Sequence, residues 1–269
     1  MPQPVKTCRA ANPLNNYVQV GRLGDSWQSA MGHLRLDGSM MVRMPSWNIH
    51  TAHAERLLSE CGAEKLGIED VNAFLFGNYV PDIYLGFLVP DTTYRLDYCL
   101  THLAEPETIP LPDASKFWTE CVKHRTRRPQ TASGLSLTLG VWAHLCADRV
   151  YNERFQSFCK THDVPQGEEL RVRKQADYEL FGRSLGTSSR VTVTPALLEA
   201  ARAFRQYSIL PGDVERAIAA ADSLLNATAD PSRTSDYELL SPEWMTDTFE
   251  ACHEQLVARL ATNDEPARE

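Results

Sequence analysis

Hydrophobic and polar positions settle into a helical rhythm from about residue 48 onward and show no sustained period before it. Asn48 or Thr51 is placed to cap a first helix running to Cys61, with Ile49, Leu57 and Leu58 on one face and Gly62 as its stop. A second apolar segment spans Val71 to Val89. Pro81 interrupts it, since proline lacks an amide donor and bends or breaks a helix, so Asp82 is expected at a kink or a fresh helix start. A polar, proline-rich loop over 105–112 comes next, and Ser115 to Arg125 then reads as a helix. That helix ends in Lys123-His124-Arg125-Thr126-Arg127-Arg128, read as a solvated end favoured by the helix dipole, with phosphate binding as the alternative.

The longest predicted helix runs from Leu135 to Lys160, and another spans Glu168 to Leu185. Val214, Ala217, Ile218, Ala221, Leu224 and Leu225 follow the i, i+3, i+4, i+7 spacing of a buried helix face. Met245, Phe249, Cys252, Leu256 and Leu260 repeat it after a Ser241-Pro242-Glu243 start. Only Arg190–Thr194, alternating Val and Thr, reads as extended. The pattern predicts an all-α fold, with residues 44–269 as a single helical domain. Residues 1–43, mixed in Pro, Asn, Gly, Gln and Ser, are expected to be a disordered tail or an over-long start of the reading frame. Met40, Met41 and Met44 are the candidate starts, and a short ordered arm is the alternative.

Composition narrows the class. Of 269 residues, 43% are hydrophobic and 23% charged, the balance of a folded globular chain. No apolar run reaches the roughly 18–20 residues needed to span a bilayer, so no integral membrane segment is expected. The N-terminus lacks the apolar core of a secretory signal. Seven cysteines, with no CxxC pair, suit reduced thiols and a cytoplasmic location. A formal charge of −8 argues against nucleic acid as a partner. Glycine-rich phosphate loops, dinucleotide fingerprints and serine-nucleophile elbows are missing from the sequence, which sets those enzyme classes aside.

Candidate chemistry begins in Gly140-Val141-Trp142-Ala143-His144-Leu145-Cys146-Ala147-Asp148. His144 and Asp148 stand four apart on a helix, so an imidazole and a carboxylate lie one above the other and can grip one divalent cation. A carboxylate on so apolar a face needs a positive partner. A helix-surface pair or an internal hydrogen bond is the plainer reading of this motif taken alone. Further candidates are Asp82 in Asn78-Tyr79-Val80-Pro81-Asp82, His102 in Thr101-His102-Leu103, and His50 and His53 on the first helix.

The succession His50-xxx-Ala54-Glu55, Ala73-Phe74-Leu75-Phe76-Gly77-Asn78-Tyr79-Val80-Pro81-Asp82, Thr101-His102, and Leu139-Gly140-Val141-Trp142-Ala143-His144-Leu145-xx-Asp148 resembles the bacterial zinc-dependent phospholipase C family, over Met44 to Tyr151. Lys174-Gln175-Ala176-Asp177-Tyr178 is similar to a segment of that family's uncharacterised intracellular branch, with Asp177 read as a helix-surface carboxylate. The resemblance implies an all-helical fold of the zinc-dependent phospholipase C and nuclease type. It implies His50 on one metal ion, Asp82, His102 and His144 on another, and Asp148 bridging the two. It also gives Asp82 the task of orienting or deprotonating the attacking water, and His53 an auxiliary place.

The departures from the family are informative. Its secreted members use an N-terminal Trp amine as a ligand, whereas Trp47 is internal. Their later histidine pair has no counterpart at His162, which lies at the wrong spacing from Glu168 and Glu169 and reads as solvated. Ile83 stands where choline-selective relatives carry an aromatic. One or two zinc ions are therefore expected, with other divalent metals open. The leading expectation is a zinc-dependent phosphoric ester hydrolase with metal-bound hydroxide as nucleophile. Its substrate would be a small phosphoester, as for a phosphodiesterase, or a phospholipid head group. The alternative is a non-catalytic helical metal-binding or protein-interaction module derived from the same fold.

Overall fold

Every residue from Ser136 to Asp148 is buried, so the helix that carries them is enclosed on all sides. This helix, α6 (Ala132–Thr161), is the axis of the computed structural model, which describes residues 45–122, 131–226 and 236–262. Its sequence explains the placement, because a helix apolar around its whole circumference must lie inside the molecule. Thr131 caps it, its hydroxyl accepting from the Gly134 amide. Around it lie α1 (Trp47–Cys61), α2 (Val71–Gly77), α3 (Val80–Ile83), α4 (Tyr98–His102), α5 (Ala114–Phe117), α7 (Glu168–Ser184), α8 (Pro195–Arg202), α9 (Pro211–Asn226) and α10 (Pro242–Thr262). The described residues contain no β-strand, so they are mostly helical and of the all-α class.

The predicted helices differ from these in instructive ways. The Val71–Val89 segment is not one kinked helix. Asn78 and Tyr79 separate α2 from α3, Pro81 stands in the first turn of α3 where its missing donor costs nothing, and helix ends at Ile83. The helix expected from Ser115 begins at Ala114 and passes into a π-helical turn, Trp118–Val122. Ser46, rather than Asn48 or Thr51, stands at the N-cap of α1, and Asn48 is buried with its amide toward the Leu224 carbonyl. Gly62 ends α1 at φ 81°, as its position suggested. Arg190–Thr194 runs unpaired between α7 and α8. The short helices α4 and α8 carry too few residues to show a period. The expectations for residues 1–43 and for the basic cluster 123–128 lie outside the described residues.

The packing of α2 on α6 sets the geometry of everything near His144. Gly77 and Gly140 face each other where the helices cross, and a Cβ on Gly77 would lie 2.9 Å from the Gly140 Cα. A Cβ on Gly140 would overlap the Phe74 carbonyl oxygen. Only hydrogen at both positions allows so close an approach. Asp70 caps α2, its Oδ1 accepting from the Ala73 amide, while its own amide and that of Glu69 donate to Ser136 Oγ on α6.

Asp177 is not the surface carboxylate its helical position suggested. It is fully buried on α7 and accepts the amides of Glu238, Leu239 and Leu240 at 2.8–2.9 Å, tying the segment before α10 to α7. The six cysteines among the described residues are free thiols. No described helix is long and apolar enough to cross a membrane.

Candidate metal centre

His50, Asp82, His102, His144 and Asp148 come from α1, α3, α4 and α6, and each is at most 1% exposed. Asp148 stands at their centre. Its Oδ2 lies 3.2 Å from His102 Nε2 and 3.3 Å from His144 Nε2, and its Oδ1 lies 3.2 Å from His50 Nε2. Asp82 Oδ1 is 3.7 Å from His102 Nε2 and 4.0 Å from His144 Nε2. The donor atoms of His50, His144 and Asp148 fall within 4.8 Å of one another, as do those of Asp82, His102 and His144.

The tautomers of two histidines follow from their neighbours. His144 Nδ1 faces the Asn78 carbonyl at 2.8 Å, and a carbonyl only accepts, so Nδ1 carries hydrogen. The Thr101 hydroxyl donates to the Tyr98 carbonyl at 3.3 Å; its single hydrogen is thereby used, so it accepts from His102 Nδ1 at 2.8 Å. In the neutral rings both Nε2 atoms then present lone pairs, and these face each other at 3.2 Å. Two lone pairs at that distance repel unless a proton or a cation stands between them. Ligating histidines are held in this way, with the outer nitrogen bound to a carbonyl or hydroxyl.

The other donors are equally short of partners. Neither Asp148 oxygen, nor Asp82 Oδ1, nor either nitrogen of His50 makes a hydrogen bond, although all are buried; the distances to Asp148 are short but the angles are wrong. Four ligands at about 2.0–2.1 Å around a tetrahedral zinc ion stand about 3.3–3.4 Å apart. The separations of 3.2–4.0 Å around Asp148, His102, His144 and Asp82 bracket that value. The imidazole and carboxylate donors therefore fit zinc, and other divalent ions of similar preference.

Electrostatics point the same way. Burial opposes charge on His144, but the Asp148 and Asp82 carboxylates outweigh it and push the imidazole up to about 9. His50, desolvated and stacked 4.0 Å from His144, is lowered instead. Asp148 is held well below the usual carboxylate range, because His144 and the rings of His102 and His50 outweigh the burial that raises it. The field of two buried carboxylates thus draws positive charge to this point, and a dication answers it as well as a proton does.

Several residues without a motif signal complete the surroundings. Trp47 donates its indole N–H to Asp82 Oδ2 at 3.0 Å and stacks on Tyr79. Tyr98 stacks on His102 at 3.8 Å. Lys174 is 2% exposed, with its ammonium 4.9 Å from the Phe155 ring centre and 5.6 Å from that of Tyr178. His53 is buried away from the cluster, Nε2 at 3.3 Å from the Tyr151 hydroxyl and its ring on Phe249. The sequence pattern also passes over His253, buried on α10 with Nε2 at 2.8 Å from Glu60, and its ring runs parallel to His53. His162 is exposed.

Asp82 is also part of the wall of a cavity of about 550 Å³, which none of the other four residues lines. Phe87, Leu88, Gln175, Arg216 and Ala220 form much of the remainder. Comparison with known protein families, with curated proteins and with solved structures gives no match for the chain.

Proposed function

We propose that this chain is a metal-dependent hydrolase of a phosphoester, of the zinc-dependent, phospholipase C-like kind that its motifs resemble. The observation that carries the reading is the pair of opposed Nε2 lone pairs on His102 and His144, both fixed by their outer partners, beside two buried and unpartnered carboxylates. Such an arrangement is costly without a cation and well suited to one. His102, His144, Asp82 and Asp148 Oδ2 would hold one ion. His50 and Asp148 Oδ1 supply two donors toward a second.

A divalent ion held there supplies Lewis acidity toward a phosphoryl oxygen and lowers the pKa of water. The protein's own part falls to Asp82. Trp47 holds its Oδ2, so Oδ1 keeps a fixed direction and can take the proton of an attacking water. Because Asp82 borders the cavity, water and ester reach the centre from that side. Burial of the remaining donors keeps bulk water from competing for the ions.

Metal content by plasma mass spectrometry tests the reading, on the full chain and on His144→Ala and Asp148→Ala. One or two equivalents of zinc in the parent, lost in both variants, together with phosphoester hydrolysis that disappears in Asp82→Asn, is the expected result. A folded parent that takes up no metal when zinc is supplied sinks it. Zinc retained without any hydrolysis leaves a metal-binding module that is not an enzyme.

A further inference from the structure

The cavity beside Asp82 has the character of a second recognition element. Its volume of about 550 Å³ lies within the range of small-molecule pockets, and Phe87, Leu88 and Ala220 give it an apolar wall. Two polar side chains interrupt that wall, and both carry an unused valence. Gln175 is 7% exposed, and while its Nε2 donates to Glu179 Oε1 at 3.3 Å, its Oε1 is buried without a partner. Arg216 gives an Nη2 hydrogen to Asp213 Oδ1 at 2.6 Å, yet its Nε is buried and unpaired. A buried acceptor and a buried donor left open in one cavity are each costly unless a ligand meets them.

We propose that this cavity receives the alcohol part of the phosphoester, and that this part is a compact group, apolar along its body with hydrogen-bonding groups at its far end. The ester oxygen would face Asp82, the body would lie along Phe87 and Leu88, and the far end would meet Gln175 and Arg216. This assignment rests on the phosphoester reading above and narrows it. An enclosed space of this size suits a single ring or short branched group rather than two long acyl chains. The class is therefore a soluble amphipathic phosphate ester.

Calorimetric titration of zinc-supplemented full-length protein tests the proposal, with inorganic phosphate, phenyl phosphate, 4-hydroxyphenyl phosphate and dioctanoyl phosphatidylcholine as probes. The expected order places phenyl phosphate at least about tenfold tighter than inorganic phosphate, because the ring is buried, and the hydroxylated ester tighter again. Ala220→Trp, at a half-buried position on the cavity wall, should reduce the ring's advantage to about twofold or less. Ser223→Trp, exposed on the same wall, serves as a second filling variant if the first is unstable. Protein that binds zinc and phosphate but does not favour the aryl esters, or that favours the two-chain lipid, overturns this proposal alone. Protein that binds neither zinc nor phosphate overturns it together with the reading on which it rests.

Discussion

Gly140→Ala sets two effects of opposite sign against each other. Alanine is the better helix former, worth about 1 kcal/mol in a helix interior. Position 140, however, lies in the middle of α6 where α2 crosses it, and the added methyl would overlap the Phe74 carbonyl oxygen and lie 2.9 Å from the Gly77 Cα. Carbon atoms pack at roughly 3.5–4.0 Å, so the helices must part by roughly 0.5–1 Å. The obstruction is backbone, which cannot swing aside as a side-chain end can. The strain therefore belongs near the upper end of the overpacking range, about 3 kcal/mol. The net expectation is a loss of about 2 kcal/mol, which in a domain this large lowers Tm by about 4–8 °C.

The same movement reaches the site. Asn78 follows directly on α2, and its carbonyl receives His144 Nδ1 at 2.8 Å across this crossing. A displacement near the upper end of that range stretches the bond beyond hydrogen-bonding distance and frees the ring to turn. Thermal unfolding followed by circular dichroism, with chelator and with zinc, measures both consequences. Gly140→Ala is expected to melt lower in chelator and to gain less from zinc than the parent does. A variant that melts at or above the parent temperature, with an equal gain from zinc, refutes the crossing as the element that sets the site.

Three further outcomes follow from buried polar groups. Burial lowers the Lys174 ammonium from 10.5 to about 8 against the pull of Asp148, a cost of about 3 kcal/mol at neutral pH. The folded chain carries fewer protons than the unfolded one between about 8 and 10.5, so the penalty is full below that window and fades as pH rises through it. Lys174→Met should therefore stabilise the protein at pH 7 by up to about 3 kcal/mol in denaturant titrations and by little at pH 10.5; an equal effect at both would refute the assignment. Trp47→Phe removes the indole donor from Asp82 Oδ2, and should cost about 2 kcal/mol in stability and lower kcat about tenfold, with zinc content kept. Asp177→Ala strips the partner from three amides and should destabilise by about 3 kcal/mol, with hydrogen exchange rising first at 238–240; protection unchanged there would count against it.

Much of the helical order was legible in the sequence because it rests on local periodicity. The α1, α6, α7, α9 and α10 patterns are long enough for a 3.6-residue repeat to show, and glycine and proline punctuate them. His144 and Asp148 could be paired from spacing alone, since four residues along a helix place two side chains on one face. His50, Asp82 and His102 could be named as candidates from their residue types and apolar surroundings. Spacing could not show that they meet, because they belong to other helices and their approach depends on how those helices pack. The motif glycines stood in the sequence without a reason, and the crossing of α2 over α6 provides one.

Only the tertiary structure decided how each polar group is used. A helical wheel placed Asp177 at the surface, yet the segment before α10 folds back over it and brings three amides that need an acceptor. Trp47 became the holder of Asp82, and Thr101 and Asn78 set two imidazole tautomers, through contacts between segments far apart in the chain. His253 carried no signal at all until α10 packed against α1. Local sequence therefore determined which segments are helical and which residue types they carry, since those depend on neighbours one turn away. Which donors converge, and which are left unpaired, was decided by packing between helices distant in sequence, where the cost of burying an unmatched polar group is set.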